Sequence, residues 1–199
     1  TNGYEFENGA ADENSIYAYD TLNDRMVKLS RSNFGVVMAT AGSLGIGTSN
    51  YDYVQEIAVE SNPDGNILEV DHMNHRIKEE SKEDFTFIRE YGDLGMGATQ
   101  FYNPTGLDFD GRNFYVGDDT NQRIANFSHD FLLQGQADLD INTIGNLTIR
   151  CDDKYCYSAY NRGSNLATYL IDVVLEKRNK GDLSLVNRVN VLPKDVIVS

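Results

Sequence analysis

The chain has 199 residues, of which 40% are hydrophobic, 11% aromatic and 24% charged, so it can bury a core and does not have the composition of a disordered chain. Its formal net charge of −14 provides no basic field to attract phosphates, which argues against nucleic acids and anionic membranes as partners. No window approaches the roughly 18 consecutive apolar residues of a membrane helix, so no membrane insertion is expected.

A corner motif, Asp-x-x-Asn-x-Arg followed by an apolar residue, recurs along the chain. It lies in the segments IYAYDTLNDRMVKLS, ILEVDHMNHRIKEE and FYVGDDTNQRIANFS, and its residues are Asp20, Asn23 and Arg25; Asp71, Asn74 and Arg76; and Asp118, Asn121 and Arg123. A decayed fourth copy contains Asn165, with Ala167 in the place of the arginine. The copies are spaced by roughly 40 to 50 residues, which is the period of propeller blades.

Within each repeat the hydrophobic pattern alternates as in β-strands. Residues 56–71 predict a hairpin around Pro63-Asp64-Gly65, and residues 106–118 predict another around Asp110-Gly111. With the segments that follow each corner, this gives four strands per repeat. The final repeat continues as IGNLTIRC, KYCYSAY, LATYLIDVVLEK and LSLVNRVNV. LIDVVLEKR also has a helical pattern, but its β-branched residues and its place in the repeat favour a strand.

This pattern resembles the NHL-repeat family of β-propellers, most clearly in residues 92–128, where a glycine-rich entry precedes Asn103-Pro104-Thr105-Gly106. The resemblance implies a single all-β domain over residues 1–199, a small propeller of about four four-stranded blades. The predicted blades are residues 9–40, 41–92, 93–137 and 138–193. The first blade has no obvious innermost strand before SIYAYD, so residues 194–199 are expected to supply it and close the ring. The alternative is that the chain is part of a larger propeller.

The corners are expected to be structural, because a single active site does not need one copy per repeat. Aspartate and asparagine can bind the backbone of a turn, and arginine can hold a carboxylate through two hydrogen bonds. The glycine-rich runs GSLGIG (42–47) and GDLGMG (92–97) are predicted to connect blades, because neither has the Gly-Lys-Ser/Thr end of a phosphate loop.

Metal ligands are not expected among the three histidines. In the repeat frame His72 and His75 fall in a turn between strands, which predicts exposed polar side chains, and His129 lies alone in NFSHDF. Some propeller enzymes similar to lactonases or peptidyl-amidating lyases hold a divalent ion at the axis. That resemblance implies an alternative metal set, Glu56, Asp108 and Asp110, for Ca²⁺ or another divalent ion. Otherwise no cofactor and no catalytic residue is predicted.

Two further pairs of residues leave alternatives open. Cys151 and Cys156 lie in neighbouring predicted strands, as two structural thiols or as one disulfide across a hairpin. Asn126 and Asn146 begin N-glycosylation sequons.

The repeats account for nearly every notable residue and leave no catalytic constellation. The sequence therefore predicts a non-catalytic recognition or structural propeller that binds a protein or a glycan, in an extracellular or virion assembly, with a homo-oligomer as one form of that assembly. The alternative is a metal-dependent enzyme of the lactonase or amidating-lyase type.

Overall fold

A computed structural model describes residues 4–60, 65–139, 143–165 and 170–191. These residues form sixteen β-strands and no helix, in four separate antiparallel sheets. Each sheet contains four strands in chain order. This arrangement is a small four-blade β-propeller, as the repeat pattern predicts.

The blades are built from consecutive strands. The first contains β1 (Phe6–Ala11), β2 (Ser15–Asp20), β3 (Arg25–Ser30) and β4 (Val37–Ala41). The second contains β5 (Val54–Val59), β6 (Asn66–Asp71), β7 (Arg76–Ser81) and β8 (Phe87–Tyr91). The third contains β9 (Pro104–Phe109), β10 (Asn113–Asp118), β11 (Arg123–Ser128) and β12 (Leu133–Asp138). The fourth contains β13 (Thr143–Cys151), β14 (Tyr155–Asn165), β15 (Leu170–Asn179) and β16 (Leu185–Val191).

The turns repeat as closely as the strands. The predicted Asp110-Gly111 turn joins β9 to β10, with Gly111 at a φ of 90° and the Asp110 carboxylate accepting hydrogen bonds from the backbone of Arg112 and Asn113. Between the third and fourth strands of the last three blades, Phe85, Phe131 and Leu183 all have φ near +60° (62°, 59° and 56°). The fourth blade therefore shares a turn geometry with the second and third, although its corner motif has decayed.

Hydrophobic cores fill the junctions between consecutive blades. Tyr19 and Met26 pack with Tyr51 and Ile67 between the first and second blades. The junction of the second and third blades is the most aromatic; its members include Tyr91, Phe101, Phe114 and Phe127. Between the third and fourth blades the core includes Tyr115, Ile124, Tyr160 and Val174. The strands nearest the axis, β1, β5, β9 and β13, contact one another in chain order.

The first blade differs from its prediction. It contains its own inner strand, β1, which pairs with β2 from Ala11 opposite Ile16 to Phe6 opposite Asp20. The position beside β2 is therefore filled by β1, and residues 194–199, which were expected there, lie outside the described residues. Gly9 explains why this strand approaches β2 so closely, since a Cβ at that position would lie 2.9 Å from the Tyr17 carbonyl oxygen.

Two other predictions concern the fourth blade. LIDVVLEKR is part of strand β15, as predicted. The side chain of Asn165 and all of Ala167, which form the decayed fourth corner, lie outside the described residues. In the second blade, most of the predicted Pro63-Asp64-Gly65 turn also lies outside them. No helix in the described residues is long and apolar enough to cross a membrane.

Candidate recognition face

The three corner motifs lie in the turns between the second and third strands of the first three blades. The aspartate of each corner accepts hydrogen bonds from the asparagine and arginine of the same motif. It also accepts one from the backbone nitrogen just ahead of the inner strand of its blade, on Glu5, Asp52 or Tyr102. The residue before each arginine has a left-handed backbone: Asp24 (φ 50°), His75 (φ 58°) and Gln122 (φ 53°). We call the surface that carries these turns the corner face.

In the second and third blades the corner also holds a loop that arrives from the preceding blade. Arg76 donates to the carbonyl oxygens of Ile46 (3.1 Å) and Gly47 (2.9 Å), and Arg123 donates to those of Gly97 (3.0 Å) and Gln100. Asn74 and Asn121 complete each set by donating to the carbonyl oxygens of Gly45 and Gly95, both at 2.9 Å. We call residues 42–53 and 92–103 the connection loops.

Each connection loop is anchored by a buried aromatic ring. Tyr51 and Phe101 are almost fully buried, and each ring lies against a glycine at the start of its loop. A Cβ on Gly42 (φ 100°) would lie 2.0 Å from the Tyr51 ring, and one on Gly92 (φ 83°) would lie 2.4 Å from the Phe101 ring. These glycines are therefore required both by the close approach and by the left-handed backbone.

The tips of the connection loops expose aliphatic side chains to solvent. Ile46 is 83% exposed and Met96 is 80% exposed, and they occupy equivalent positions in GSLGIGTSNY and GDLGMGATQF. Leu44 and Leu94, two residues earlier, are also exposed. Large apolar side chains displayed by rigid, hydrogen-bonded loops form a surface suited to binding a partner.

Burial and hydrogen bonding act against each other on the corner carboxylates. Burial raises the pKa of Asp118 above its ordinary value, although the Tyr102 backbone, Asn121 and Arg123 all donate to it. At Asp20 burial also acts to raise the pKa, but the donors Asn23, Glu5 and Arg25 outweigh it and lower the pKa. The arginine of the first corner is also the most open, with 25% of its side chain exposed against 8% for Arg76 and 5% for Arg123.

The histidines of the second corner are not the freely exposed side chains that the sequence predicts. Both are partly buried, and both contact the start of the inner strand in the next blade. His72 Nδ1 lies 2.9 Å from the Pro104 carbonyl oxygen, and His75 Nδ1 accepts a hydrogen bond from the Asn103 backbone nitrogen at 3.1 Å. Burial lowers the pKa of His75, and the neighbouring His72 lowers it further.

The predicted acidic metal set is not assembled in the described part of the chain. Glu56 is paired with Arg150 at 2.9 Å, Asp108 accepts a hydrogen bond from the Cys151 backbone nitrogen at 2.6 Å, and Asp110 is paired with Lys180 at 2.9 Å. Burial raises the pKa of Asp108, whereas at Asp110 hydrogen bonds and the Lys180 charge outweigh burial and lower it. A cavity of about 280 Å³ between the four inner strands is lined by Asp108 and Arg150 together with small and apolar side chains.

Cys151 and Cys156 form a disulfide between paired positions of β13 and β14. Of the two alternatives for these cysteines, the structure therefore has the bridge. Asn126 is 2% exposed within β11, which leaves no space for a glycan on the folded chain, so this sequon is unsuitable for glycosylation once the blade has formed. The side chain of Asn146 lies outside the description.

Sequence reasoning missed a buried charged cluster between the first and second blades. Glu69, Lys78 and Glu80 have essentially no exposed surface. Lys78 pairs with Glu80 and lies 3.6 Å from the centre of the Tyr51 ring, while the Tyr51 hydroxyl donates to Glu80 at 2.6 Å. No described donor reaches either oxygen of an ionised Glu69. Burial raises the pKa of Glu69 well above its usual value, and the negative charge of Glu80 raises it further.

No protein-family model matches the sequence, and no curated protein matches it. Solved structures do. U3-55K superposes with a TM-score of 0.65 at 9% identity, over 98% of this chain and 68% of that one. Kluyveromyces lactis Hsv2p superposes with a TM-score of 0.55 at 10% identity, over 96% of this chain and 63% of that one. Myxococcus xanthus glutaminyl cyclase superposes with a TM-score of 0.57 at 10% identity, over 94% of this chain and 71% of that one.

These neighbours are β-propeller-type folds, and at such low identity the likeness shows the fold alone. The chain spans about 60% of the length of the Hsv2 structures that it matches.

Proposed function

We propose that this chain is a recognition module that binds another protein through the corner face. The observation that carries the proposal is the repeated display of Ile46 and Met96 on connection loops that are fixed by Arg76 and Arg123. Because these loops are already ordered, binding would cost little loop entropy. Methionine is also enriched in protein interfaces, and its flexible thioether adapts to a partner's surface.

Protein is favoured over glycan as the partner because the tip side chains are aliphatic. Tyr53 and Tyr102 near the start of the inner strands are partly exposed, but they are each in edge contact with a histidine, which leaves the aliphatic tips as the most prominent groups. The corners support a classification of the repeats as NHL-type. The disulfide suits an oxidising, extracellular or virion setting.

The enzyme alternative receives less support from the geometry. Its metal set would be Glu56, Asp108 and Asp110, but Arg150 and Lys180 already neutralise two of these carboxylates, and the third accepts a backbone hydrogen bond. We therefore take recognition as the function to be tested.

The test compares two surfaces of the same propeller. An Ile46→Asp, Met96→Asp double variant removes the tips of the corner face, and Leu132→Asp changes a similarly exposed side chain in a turn between β11 and β12 on the opposite face. Partners are captured on the immobilised chain from an extract of the source organism, and their affinity is then measured with purified protein. Light scattering reports whether a second copy is itself the partner.

We expect the double variant to bind at least about tenfold more weakly, since interface hot spots contribute about 2 kcal/mol or more each. The Leu132→Asp control should bind normally, and circular dichroism should show all variants folded. Undiminished binding by the double variant, or an equal loss in the control, would contradict the proposal.

A further inference from the structure

A second cluster of polar groups lies on the opposite face of the propeller, which we call the hairpin face because it carries the turns between the first and second and between the third and fourth strands. Glu60 directly follows β5, Glu79 is near the end of β7, and His129 directly follows β11. In each blade the first and third strands run in the same direction, so these three residues reach the same face. They meet at the junction of the second and third blades, where one carboxylate oxygen of each glutamate and a ring nitrogen of His129 all lie within 4.8 Å of one another.

The separations of these atoms are close to those of a metal coordination shell. His129 Nε2 lies 3.1 Å from Glu79 Oε1 and 3.7 Å from Glu60 Oε1. Zinc bonds to nitrogen and carboxylate oxygen are about 2.0–2.2 Å long, so ligand atoms around a tetrahedral ion are separated by roughly 3.3–3.5 Å. Shifts of a few tenths of an ångström would bring both histidine–carboxylate separations to these values.

The surrounding residues hold the two glutamates in place. Arg89 and Tyr91 donate to Glu79 Oε2, both at 2.6 Å, which leaves Oε1 to Asn66 and His129. The backbone nitrogen of Asn66 donates to Glu60 Oε2 at 3.0 Å and so leaves its Oε1 directed at the histidine. In each glutamate, hydrogen bonds to Oε2 therefore orient the carboxylate, and Oε1 faces His129. Partners of this kind around ligands tune metal affinity in known sites.

The histidine is positioned equally firmly. Its backbone nitrogen donates to the Arg112 carbonyl oxygen at 3.0 Å, and its ring packs against Phe109 with the ring centres 5.6 Å apart. About a third of its side chain is exposed, so solvent can reach the cluster.

The donor set indicates which class of ion would fit. Imidazole with carboxylates suits Zn²⁺ and similar transition-metal ions, whereas Ca²⁺ and Mg²⁺ prefer sites made only of oxygen. Burial alone would raise the pKa of Glu79, but hydrogen bonds from Arg89, Tyr91 and Asn66 outweigh it and lower the pKa.

We propose that Glu60, Glu79 and His129 form a binding site for a divalent transition-metal ion such as Zn²⁺, with water as a fourth ligand. The ligands come from two blades, so the bound ion would join the second and third blades at the hairpin face. This site is separate from the corner face and from the acids at the axis, and its test does not depend on the recognition proposal.

The experiment uses untagged full-length chain that has been dialysed against a chelator and then titrated with Zn²⁺ or Co²⁺. We expect one ion per chain, a rise in melting temperature with Zn²⁺ concentration, and a visible d–d absorption band of four-coordinate Co²⁺. Binding of less than one ion per chain at millimolar Zn²⁺, or a melting temperature indifferent to the metal, overturns the proposal.

Variants then locate the ion. Loss of an outer-shell partner of a metal ligand costs roughly 10- to 100-fold in metal affinity. His129→Gln and Glu60→Gln remove proposed ligands themselves, so each should weaken Zn²⁺ binding by at least that factor. His72→Gln removes a histidine from the opposite face and should retain the full response. Glu79 is left unchanged because it has many hydrogen-bond partners, so its substitution would destabilise the fold as well as remove a ligand. If His129→Gln and Glu60→Gln bind as the parent chain does, or if His72→Gln loses binding equally, the ion is held elsewhere and the proposal fails.

Discussion

Replacing Glu69 by glutamine should stabilise the folded chain at neutral pH, by an amount that grows as the pH rises. Glu69 is fully buried between the first and second blades, beside the negatively charged Glu80, and burial holds its pKa well above the ordinary value of 4.5. The folded chain therefore keeps a proton on Glu69 that the unfolded chain releases above about pH 4.5. This difference favours the unfolded state increasingly as the pH rises, until the folded-state pKa is reached.

The magnitude follows from proton linkage. Each pH unit between the unfolded and folded pKa values lowers the unfolding free energy by about 1.4 kcal/mol. If folded Glu69 is still protonated at pH 7, the total loss at that pH is about 3 kcal/mol. Glutamine has nearly the same shape and stays neutral, so it removes this cost. Its amide can also donate to Glu80, as the protonated carboxyl can.

The assay is urea unfolding at a series of pH values from 4.5 to 7.5, followed by circular dichroism and by the fluorescence of the 12 tyrosines. The exposed Glu83 provides the matched control, because Glu83→Gln makes the same substitution at a side chain that is not buried. We expect the parent and Glu69→Gln to be of similar stability at pH 4.5 and to diverge above it, with Glu83→Gln following the parent. A difference that does not change with pH, or a Glu69→Gln variant that is less stable at pH 7, would mean that Glu69 is ionised in the fold and held by Lys78, and the reasoning would be refuted.

Three further predictions concern the ion pairs and the disulfide. Arg123→Ala should lower the unfolding free energy by about 3 kcal/mol in urea titrations, because it leaves the buried Asp118 carboxylate without its cation, whereas Arg25→Ala should cost clearly less because Arg25 is more open; equal losses would contradict this. Glu79→Gln should destabilise the chain at neutral pH and less so below about pH 4.5, because the pKa of Glu79 is lowered in the fold and its contribution fades as the pH falls; a loss independent of pH would argue against this. Replacing both Cys151 and Cys156 by serine should cost about 2 kcal/mol, since the disulfide closes only a short loop, and a thermal melt of the oxidised, reduced and double-serine forms checks it; cooperative folding lost altogether would refute the estimate.

Strand pattern and repeat spacing were sufficient to predict the architecture, because alternation and turn dipeptides are local signals. The inner strand β1 was missed for an equally local reason. Its sequence, FENGAA, contains Asn8-Gly9 and two alanines, a composition typical of a turn. The pairing with β2 nevertheless needs a small residue at this position, because a Cβ on Gly9 would lie 2.9 Å from the Tyr17 carbonyl oxygen of β2. This requirement comes from the pairing of β1 with β2, which the composition of FENGAA does not reveal.

Burial of the charged strand β7 was not predictable in the same way. RIKEES has the polarity of a surface strand, yet residues 76–80 are all buried. The middle strands of a blade are covered on both faces by neighbouring blades, so polarity no longer indicates exposure. Lys78 and Glu80 are buried as a pair, and the buried Glu79 pairs with the partly exposed Arg89. Each charge is therefore neutralised by a partner that the sequence does not place in any motif.

The candidate sites also depend on contacts between distant parts of the chain. The residue types of the corner predict its internal hydrogen bonds, but not that Arg76 and Arg123 reach back some 25 to 30 residues to hold a connection loop. One signal was present: GSLGIGTSNY and GDLGMGATQF match in their glycines, their aliphatic tips and their final aromatic residue. Glu60, Glu79 and His129 leave no such trace, because they come from two blades and lie at or just after the ends of three different strands.

The division between repeated and unrepeated residues explains where function can arise in this fold. A corner that recurs in three blades must first satisfy the same local requirement in each, and in the first blade Asp20, Asn23 and Arg25 satisfy it through the same internal hydrogen bonds. In the next two blades the same three residue types also bind a connection loop, so the scaffold itself fixes the position of Ile46 and Met96. The tips are free to vary without disturbing that scaffold, because their side chains contact solvent rather than the core. We therefore place the proposed recognition surface at the tips of the repeated loops, and the proposed metal site at residues such as His129 that occur once.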